Sequence, residues 1–469
     1  MEDGRTNWFM VMLVAVAVPL LGFWVGTSRV SSLNAESQAA IGLDMATVCE
    51  LNQVIGVEGI GPFCGRLATA NFLKVLSLST LAVGLLLVFG YLGLAWWAGA
   101  NRNRNAAVFP VAVPIALATV GLLTFAQVGI VLVALFALGF VGKLFVFIGI
   151  AGLLATVAVL QGLRALSHRP VQHEFAIQVT PEQAPALWSL VNSVADKVGA
   201  TAPNNLIMGM QPTFYATSAD VALAFGDRRL SGETLFLSMP LMRILRRDEV
   251  AAVIGHELGH FKGADVAYTR KFAPAFVGMG TAINSVNSLN DSFIQHIARL
   301  PALTFSHFLL SVFAVNERRI RRDREFEADV VGASASSPTA LASALLKLTA
   351  YSGLWSQFKR LVVEGIRDGK PTRDLPYAFE FLARSASSEL ATTHLEGLLK
   401  QRTTHPLDTH PPTAERLNAL GVQAENLALT LGDGLAAEVE MNIEMTQLGA
   451  VVTALELNYM QRMLSARSS

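Results

Sequence analysis

Long apolar runs dominate the first third of the chain. Trp8–Gly26 and Phe72–Ala98 are each long enough to cross a hydrocarbon layer of about 30 Å as one helix of about 20 residues. Residues 106–163 are almost wholly apolar over a length that requires two helices, with a turn near Gly139. The pattern therefore predicts about four transmembrane helices within residues 1–165. A cleaved signal peptide is the alternative for the first run, although no clear small-x-small cleavage site follows it closely.

The basic residues beside these runs predict the orientation of the helices. Arg102 and Arg104 follow the second run, and Arg164 and Arg169 follow the last one. Because basic residues concentrate at the cytoplasmic ends of membrane helices, we expect both of these ends in the cytoplasm. Four crossings then place the N-terminus and the large C-terminal domain in the cytoplasm, and an extracytoplasmic loop at residues 27–70.

This predicted loop contains both cysteines of the chain, Cys49 and Cys64. Two cysteines are too few for a disulfide scaffold, and they lack the Cys-x-x-Cys spacing of a structural zinc site. An oxidising exterior would permit a Cys49–Cys64 disulfide that closes a short loop. Two unpaired thiols remain the alternative.

Composition supports a membrane domain and excludes other classes. Hydrophobic residues make up 52% of the chain and charged residues 15%, which excludes a disordered chain and argues against an ordinary cytosolic enzyme. No Asp or Glu lies between Glu58 and Glu174, and ion-coupled transporters usually need intramembrane carboxylates. The 36 basic and 36 acidic residues balance, so no net charge favours binding to nucleic acid.

Two shorter apolar segments interrupt the C-terminal part. Phe272–Val286 and Pro301–Val315 predict an apolar helical pair within residues 268–317, as a transmembrane hairpin or as interfacial or core helices. The basic stretch from Arg318 to Arg324 indicates either a cytoplasmic helix end beside anionic lipid or a solvated helix face.

Residues 248–263, DEVAAVIGHELGHFKG, are the most informative stretch of the chain. Asp248 is expected to cap the start of a helix here and Gly263 to end it. Apolar residues recur along one face of this helix, as expected for a buried face: Val250, Ile254, Leu258 and Phe261.

The same helix carries a His-Glu-x-x-His motif. His256 and His260 lie one turn apart, so both imidazoles can reach a single zinc ion. Glu257 is offset from the metal axis, where it is better placed to accept a proton from the attacking water than to bind zinc. Gly255 and Gly259 would let another backbone or the substrate approach closely.

A catalytic zinc site needs a third protein ligand. In REFEAD, Glu325 and Asp329 fall on one helix face, so one carboxylate can bind metal while the other holds an imidazole N–H. Spacing alone does not assign the two roles. The candidates for the third ligand are Asp323, Glu325, Glu327, Asp329, His296, His307, His394, His405 and His410.

HELGH, then EFEAD, then THPPTAER in this order resemble the membrane gluzincin endopeptidases of the HtpX and CAAX-prenyl-protease type, over roughly residues 165–420. The resemblance implies a mostly α chain: multi-pass transmembrane helices, then a zincin-like α+β metalloprotease domain with a small sheet and an HExxH active-site helix. It implies Glu257 as general base and Asp329 as the partner of a ligating imidazole. The implied zinc ligands are His256, His260 and Glu325.

The resemblance also assigns roles to the THPPTAER segment. His410 would lie near the developing oxyanion, and Arg416 would support the cleft. His405 is a nearby competitor, but only His410 has the family's spacing to Arg416.

Upstream of the helix, Val221–Phe225 and Thr234–Ser238 predict two strands joined by a 226–232 loop. Their edge would accept an extended substrate as an added strand. The family commonly has an Asn-Ala pair before this edge, where this chain has Tyr215-Ala216.

Together these features predict a multi-pass cell-membrane zinc metalloendopeptidase domain spanning residues 166–420, with Zn²⁺ as cofactor. Its partners would be the lipid bilayer and protein or peptide substrates, mainly membrane proteins, with quality control as the favoured role. CAAX-type processing of lipidated proteins is one alternative, and a catalytically silent membrane scaffold is another of a different class. Residues 421–469 are expected to form a C-terminal helical extension of unassigned role.

Overall fold

The computed structural model describes residues 8–99, 102–165, 171–224, 228–262, 280, 283–284, 293–389, 411–424, 427 and 439–468. The chain forms two compact units. One contains residues 1–168 and 271–317, and the other contains residues 169–270 and 318–469. Helices dominate both units, and the strands lie in the second unit. The predicted class, mostly α with a small α+β domain, is confirmed.

Among the residues of the first unit that the structure describes, four helices are long and apolar enough to cross a membrane, as the sequence predicts. Large apolar side chains on these helices point outward, which is the arrangement that lipid favours: Leu86, Phe89, Trp96, Leu122, Phe125 and Phe147. The helices of the N-terminal part are α1 (Trp8–Ile41), α2 (Met45–Ile55), α3 (Gly61–Gly99), α4 (Arg102–Ala137) and α5 (Lys143–Ala165).

The segment predicted as a loop at residues 27–70 is mostly helical. Helix α1 continues to Ile41, α2 follows, and α3 begins at Gly61. Cys49 and Cys64 form a disulfide between α2 and α3. A small core stabilises these helical extensions, and its buried members are Leu33, Met45, Val48 and Leu67. Tertiary packing of this kind sustains helices outside the apolar runs, which a hydropathy pattern does not detect.

The second unit contains two small sheets. The three-stranded sheet has the order β1-β5-β6, and the four-stranded sheet has the order β2-β3-β7-β4. Strand β7 pairs in parallel with β3 and antiparallel with β4, which is an edge strand. The strands are β1 (Val171–Glu174), β2 (Ala176–Val179), β3 (Asn205–Gly209), β4 (Tyr215–Thr217), β5 (Asp220–Leu223), β6 (Arg229–Leu230) and β7 (Thr234–Ser238).

The two strands predicted at Val221–Phe225 and Thr234–Ser238 are present as β5 and β7, but they do not share the one edge that the sequence predicts. Strand β5 lies in the three-stranded sheet, whereas β7 lies in the four-stranded sheet. All five residues of β7 are buried, which suits a central strand, while only alternate residues of β5 are buried. The edge of the sheet that contains β7 is therefore β4, which carries Tyr215 and Ala216.

Helices pack on one face of the four-stranded sheet, and the three-stranded sheet packs on its other face. The apolar segment Pro301–Val315 is part of one 43-residue helix, α9, which continues to the carboxylates of Glu325 and Asp329. The other predicted segment, Phe272–Val286, lies almost wholly outside the described residues. The remaining helices are α6 (Pro185–Val198), α7 (Met239–Met242), α8 (Arg247–Gly259), α9 (Phe293–Ala335), α10 (Pro338–Ser352), α11 (Trp355–Arg367), α12 (Leu375–Glu389), α13 (Thr413–Ala419) and α14 (Val439–Ser468).

The C-terminal extension is an integral part of the second unit. Helix α14 contributes buried apolar residues to the core that also contains α6 and α8. Its buried Glu444 accepts hydrogen bonds from the backbone N–H groups of Ala186 (2.7 Å) and Leu187 (3.0 Å). A carboxylate at this position satisfies N–H groups that the first turn of α6 leaves without helical partners.

A second carboxyl on α14 makes stability depend on pH. Burial raises the pKa of Glu456 from 4.5 to about 7. Because this pKa is higher in the folded state, ionisation favours unfolding, and the folded state loses up to about 3 kcal/mol as pH rises from about 4.5 to about 7.

We expect Glu456→Gln to remove this dependence. The difference between the thermal unfolding midpoints of the variant and the parent should grow in favour of the variant between pH 4.5 and 7. Glu440→Gln, an exposed change on the same helix, serves as the control. Parallel pH profiles for Glu456→Gln and the parent would contradict the assignment.

Candidate metal centre

The histidine-bearing helix α8 begins and ends earlier than expected. Its N-cap is Arg246, not Asp248, because the Glu249 carboxylate accepts the Arg246 backbone N–H at 2.7 Å. The helix ends at Gly259, and the chain continues in one tight turn from His260 to Lys262. The predicted Gly263 terminus lies outside the described residues.

Helix α8 is buried on almost all sides, including the face that the spacing predicts. The four residues of this face belong to the main core of the second unit: Val250, Ile254, Leu258 and Phe261. Burial of this face fixes the rotation of α8 and leaves its histidines to meet the neighbouring helix α9.

Helices α8 and α9 cross at glycines in near backbone contact. A Cβ on Gly255 would lie 2.4 Å from the Cβ of Ala335, and a Cβ on Gly332 would lie 2.7 Å from the carbonyl oxygen of Ala252. A Cβ on Gly259 would lie 3.3 Å from the Cα of Ala328. The close approach expected at Gly255 and Gly259 is thus made by the backbone of α9, not left open for substrate.

This crossing brings three predicted ligands together. The Glu325 carboxylate lies 3.5 Å from His256 Nε2 and 3.6 Å from His260 Nε2. One donor atom from each residue lies within 4.8 Å of the others. Bonds of about 2.1 Å to a tetrahedral zinc ion would separate the donor atoms by roughly 3.4 Å, so the two distances from Glu325 to the imidazoles match the spacing that such an ion needs.

Asp329 and Arg416 lie behind the first histidine. Asp329 Oδ1 is 3.0 Å from His256 Nδ1. Arg416, from α13, donates to both Asp329 oxygens, at 2.8 Å through Nε and 2.5 Å through Nη2. The Asp329 contact holds the proton on Nδ1, which leaves Nε2 as the metal-facing nitrogen.

The charges of this group are mutually dependent. Burial lowers the pKa of His256, but hydrogen bonds to Asp329 and Glu325 outweigh it and raise this pKa to about 9. Burial raises the pKa of Asp329, but hydrogen bonds from Arg416 and His256 outweigh it and lower that pKa below its ordinary value. Asp329 is therefore ionised at neutral pH and can fix the imidazole.

The structure separates the alternative ligands. Asp323 and Glu327 are exposed on α9, away from the buried Glu325 and Asp329. His307 lies on the same helix, 18 residues or about five helical turns before Glu325. Residues 390–410 lie outside the described residues, so the role of His410 stays a prediction; the side chain of His296 is also outside them.

The basic stretch after the apolar part of α9 has one defined partner. Arg322 forms a salt bridge with Glu415 on α13. At least this arginine therefore contacts protein instead of lipid.

Comparison with known proteins gives a family. Residues 181–423, more than half of the chain, match peptidase family M48. The chain belongs to this family. The matched M48 region includes α8, the acidic part of α9 and α13, so it contains every side chain of the cluster described above.

Individual relatives agree with the M48 assignment. The chain is 29% identical over 249 residues to a protease HtpX homolog of Gemmatimonas aurantiaca, which covers 52% of this chain and 77% of the relative. Homologs named in the same way from Archaeoglobus fulgidus and Thermococcus kodakarensis are each 26% identical; the alignments cover 49% and 53% of this chain, and 65% and 76% of the relatives. No solved structure matches the chain.

Two polar links around the M48 site were not predicted from sequence. Lys347 pairs with Glu249, and Thr349 contacts Thr413. The one indication of the Lys347–Glu249 pair in the sequence is a single lysine among the largely apolar residues of α10. Nothing in the sequence indicated its partner, because the two residues are far apart along the chain.

The α8–α9 crossing predicts a specific defect for Gly332→Ala. The new Cβ would meet Ala252 O and the His256 Cβ at 3.0 Å or less, so α9 must move away from the histidines. Overpacking of about 1–3 kcal/mol should weaken zinc binding roughly tenfold or more in chelator competition. Gly353→Ala, where the nearest atom is 3.6 Å away, is the control. Equal zinc affinity for the two variants would refute this role of the crossing.

Proposed function

We propose that this M48 protein is a membrane-bound zinc endopeptidase in which Glu257 is the general base. The observation that carries the proposal is the convergence of His256, His260 and Glu325 on one point, with Glu257 buried on the same helix as the histidines. The membership of family M48 and the four apolar helices support a metalloprotease located in a membrane.

The donor set fits zinc. Two imidazoles and one carboxylate are the three-ligand pattern of hydrolytic zinc sites, which leave a position for water or substrate. When bound here, the ion would acidify a water molecule and polarise the scissile carbonyl group.

The chain's own residues would move the proton. Glu257 would accept a proton from the attacking water and return it to the leaving amine. Asp329 would hold His256 in the tautomer with Nε2 free, and Arg416 would keep Asp329 ionised. His410 would donate a hydrogen bond to the oxyanion, as the sequence prediction has it.

Strand β4 supports an extended peptide as substrate. It is the edge strand next to β7, so its outer backbone groups can pair with an added strand. The Tyr215 ring stacks on Phe236 at 4.9 Å, whereas Ala216 packs toward the core that contains α8. The substrate would therefore contact β4 through its backbone, which requires a locally unfolded chain and favours quality control of membrane proteins over processing of one defined terminus.

Glu257→Gln should abolish peptide hydrolysis while zinc remains bound, because it removes the base and none of the ligands. We expect turnover to fall at least about 1,000-fold in the purified protein, with a zinc content equal to that of the parent. Glu327→Gln, an exposed change on α9, is the control. Undiminished turnover by Glu257→Gln would exclude this mechanism, and a parent that binds zinc without cleaving any unfolded membrane protein would favour the silent scaffold.

The same variant can identify substrates. Misfolded membrane proteins trapped on Glu257→Gln would support quality control. Selective trapping of lipidated C-terminal segments would instead support CAAX-type processing.

The cytoplasmic orientation of the peptidase domain predicts a labelling pattern in intact cells. After reduction, the thiols of Cys49 and Cys64 should react with a membrane-impermeant maleimide, because that disulfide would face the exterior. Ser356→Cys, at an exposed site on α11, should react only after permeabilisation. The reverse pattern would mean the opposite orientation.

A further inference from the structure

Helix α10 binds the start of the histidine-bearing helix through a buried carboxylate. Glu249 and Lys347 are both fully buried, and Lys347 Nζ lies 2.7 and 2.9 Å from the two Glu249 oxygens. Ser343, one turn before Lys347, donates to the same carboxylate at 2.6 Å. Because Glu249 also accepts the Arg246 N–H that begins α8, this cluster fixes the first turn of α8.

The other end of α10 binds the helix that carries Arg416. The Thr349 hydroxyl donates to the Leu345 carbonyl oxygen at 2.8 Å, as is common for Thr within helices. Its oxygen lies 2.8 Å from the Thr413 hydroxyl. Since the only proton of the Thr349 hydroxyl is used, Thr413 is the donor. Thr413 is the first residue of α13, three positions before Arg416.

These polar contacts connect four helices in a series that returns to α8. Glu249 joins α8 to α10, and Thr413 joins α10 to α13. Arg416 then joins α13 to Asp329 on α9, and Asp329 contacts His256 on α8. The proposed metal ligand His256 is therefore positioned in two ways, through the first turn of α8 and through its contact with Asp329.

We propose that α10 fixes the position of His256 relative to Arg416, with Lys347 and Thr349 as positioning residues. The proposal rests on the proposed zinc role of His256. Apolar side chains along α8 determine which face is buried, but they tolerate small sliding and rotation. Ion pairs and hydrogen bonds have defined lengths and directions, so they fix what the apolar contacts leave free.

The chemistry of the Glu249–Lys347 pair supports positioning over stability. Replacing a buried ion pair by apolar residues of similar volume is often neutral or stabilising, so such a pair is weak support for a purely stabilising role. Residues that hydrogen-bond directly to a metal ligand typically change metal affinity about 10–100-fold when mutated. Lys347 and Thr349 act through other residues, so we expect effects near the lower end of this range.

The test uses two α10 variants and two matched controls in the full-length protein. Lys347→Met removes the buried charge, and Lys359→Met removes an exposed lysine on α11. Thr349→Val removes the hydrogen bond to Thr413. Its control is Thr446→Val on α14, which removes an exposed hydroxyl that, like that of Thr349, donates to the carbonyl oxygen four residues earlier. The readouts are the zinc dissociation constant by chelator competition, the absorption spectrum of the Co²⁺-substituted protein, and thermal unfolding.

We expect both α10 variants to weaken zinc binding by about 10-fold or more and to alter the Co²⁺ spectrum, with both controls within about twofold of the parent. A Lys347→Met protein that melts earlier but keeps the parent's zinc affinity and Co²⁺ spectrum would overturn the proposal. If Lys347→Met does not fold, the Thr349→Val variant provides the test. A zinc affinity and a Co²⁺ spectrum equal to those of Thr446→Val would overturn the proposal. Failure of the parent itself to bind zinc would overturn the proposed function instead.

Discussion

The site depends on a near backbone contact between α8 and α9. Glycines at 255 and 332 let the two backbones approach closely, and this short separation lets a carboxylate from one helix reach imidazoles on the other. Glycine within a helix costs about 1 kcal/mol relative to alanine, so each of these residues lowers the intrinsic stability of its helix. The cost is offset where the helices pack into the apolar core on one face of the four-stranded sheet.

Close packing also buries charged side chains, and each of them therefore needs a partner of opposite charge or a hydrogen-bonding partner. Glu325, Asp329 and Arg416 are each less than a tenth exposed, as is His256, and every one of them contacts an opposite charge or an imidazole. A buried charge without a partner would be neutralised or would destabilise the fold. The four groups thus constrain one another, and a cation at the convergence of the ligands would add positive charge beside Glu325, which Arg416 already approaches at 3.9 Å.

The sequence predicted what local geometry determines. Helical spacing was enough to place His256 and His260 together and Glu325 with Asp329 on one face, because one turn of helix fixes those relations. It could not assign ligand and orienting roles to the two carboxylates without a family resemblance, since these depend on where α9 crosses α8. Strands β5 and β7 were predicted, but their membership of different sheets was not, because burial on both faces decides that choice. The helical extensions at residues 27–70 and the Lys347 contact depend on residues distant in sequence, and no local pattern encodes them.

The most direct measurement of the central claim is zinc K-edge X-ray absorption on the purified full-length protein, with Glu325→Gln as the comparison. We expect one zinc ion per chain, bound by two imidazoles among nitrogen and oxygen ligands at about 2.0–2.2 Å, and a more weakly bound ion with a rearranged ligand set in the variant. Sulfur in the first shell, a single imidazole, or a shell unchanged by Glu325→Gln would contradict it.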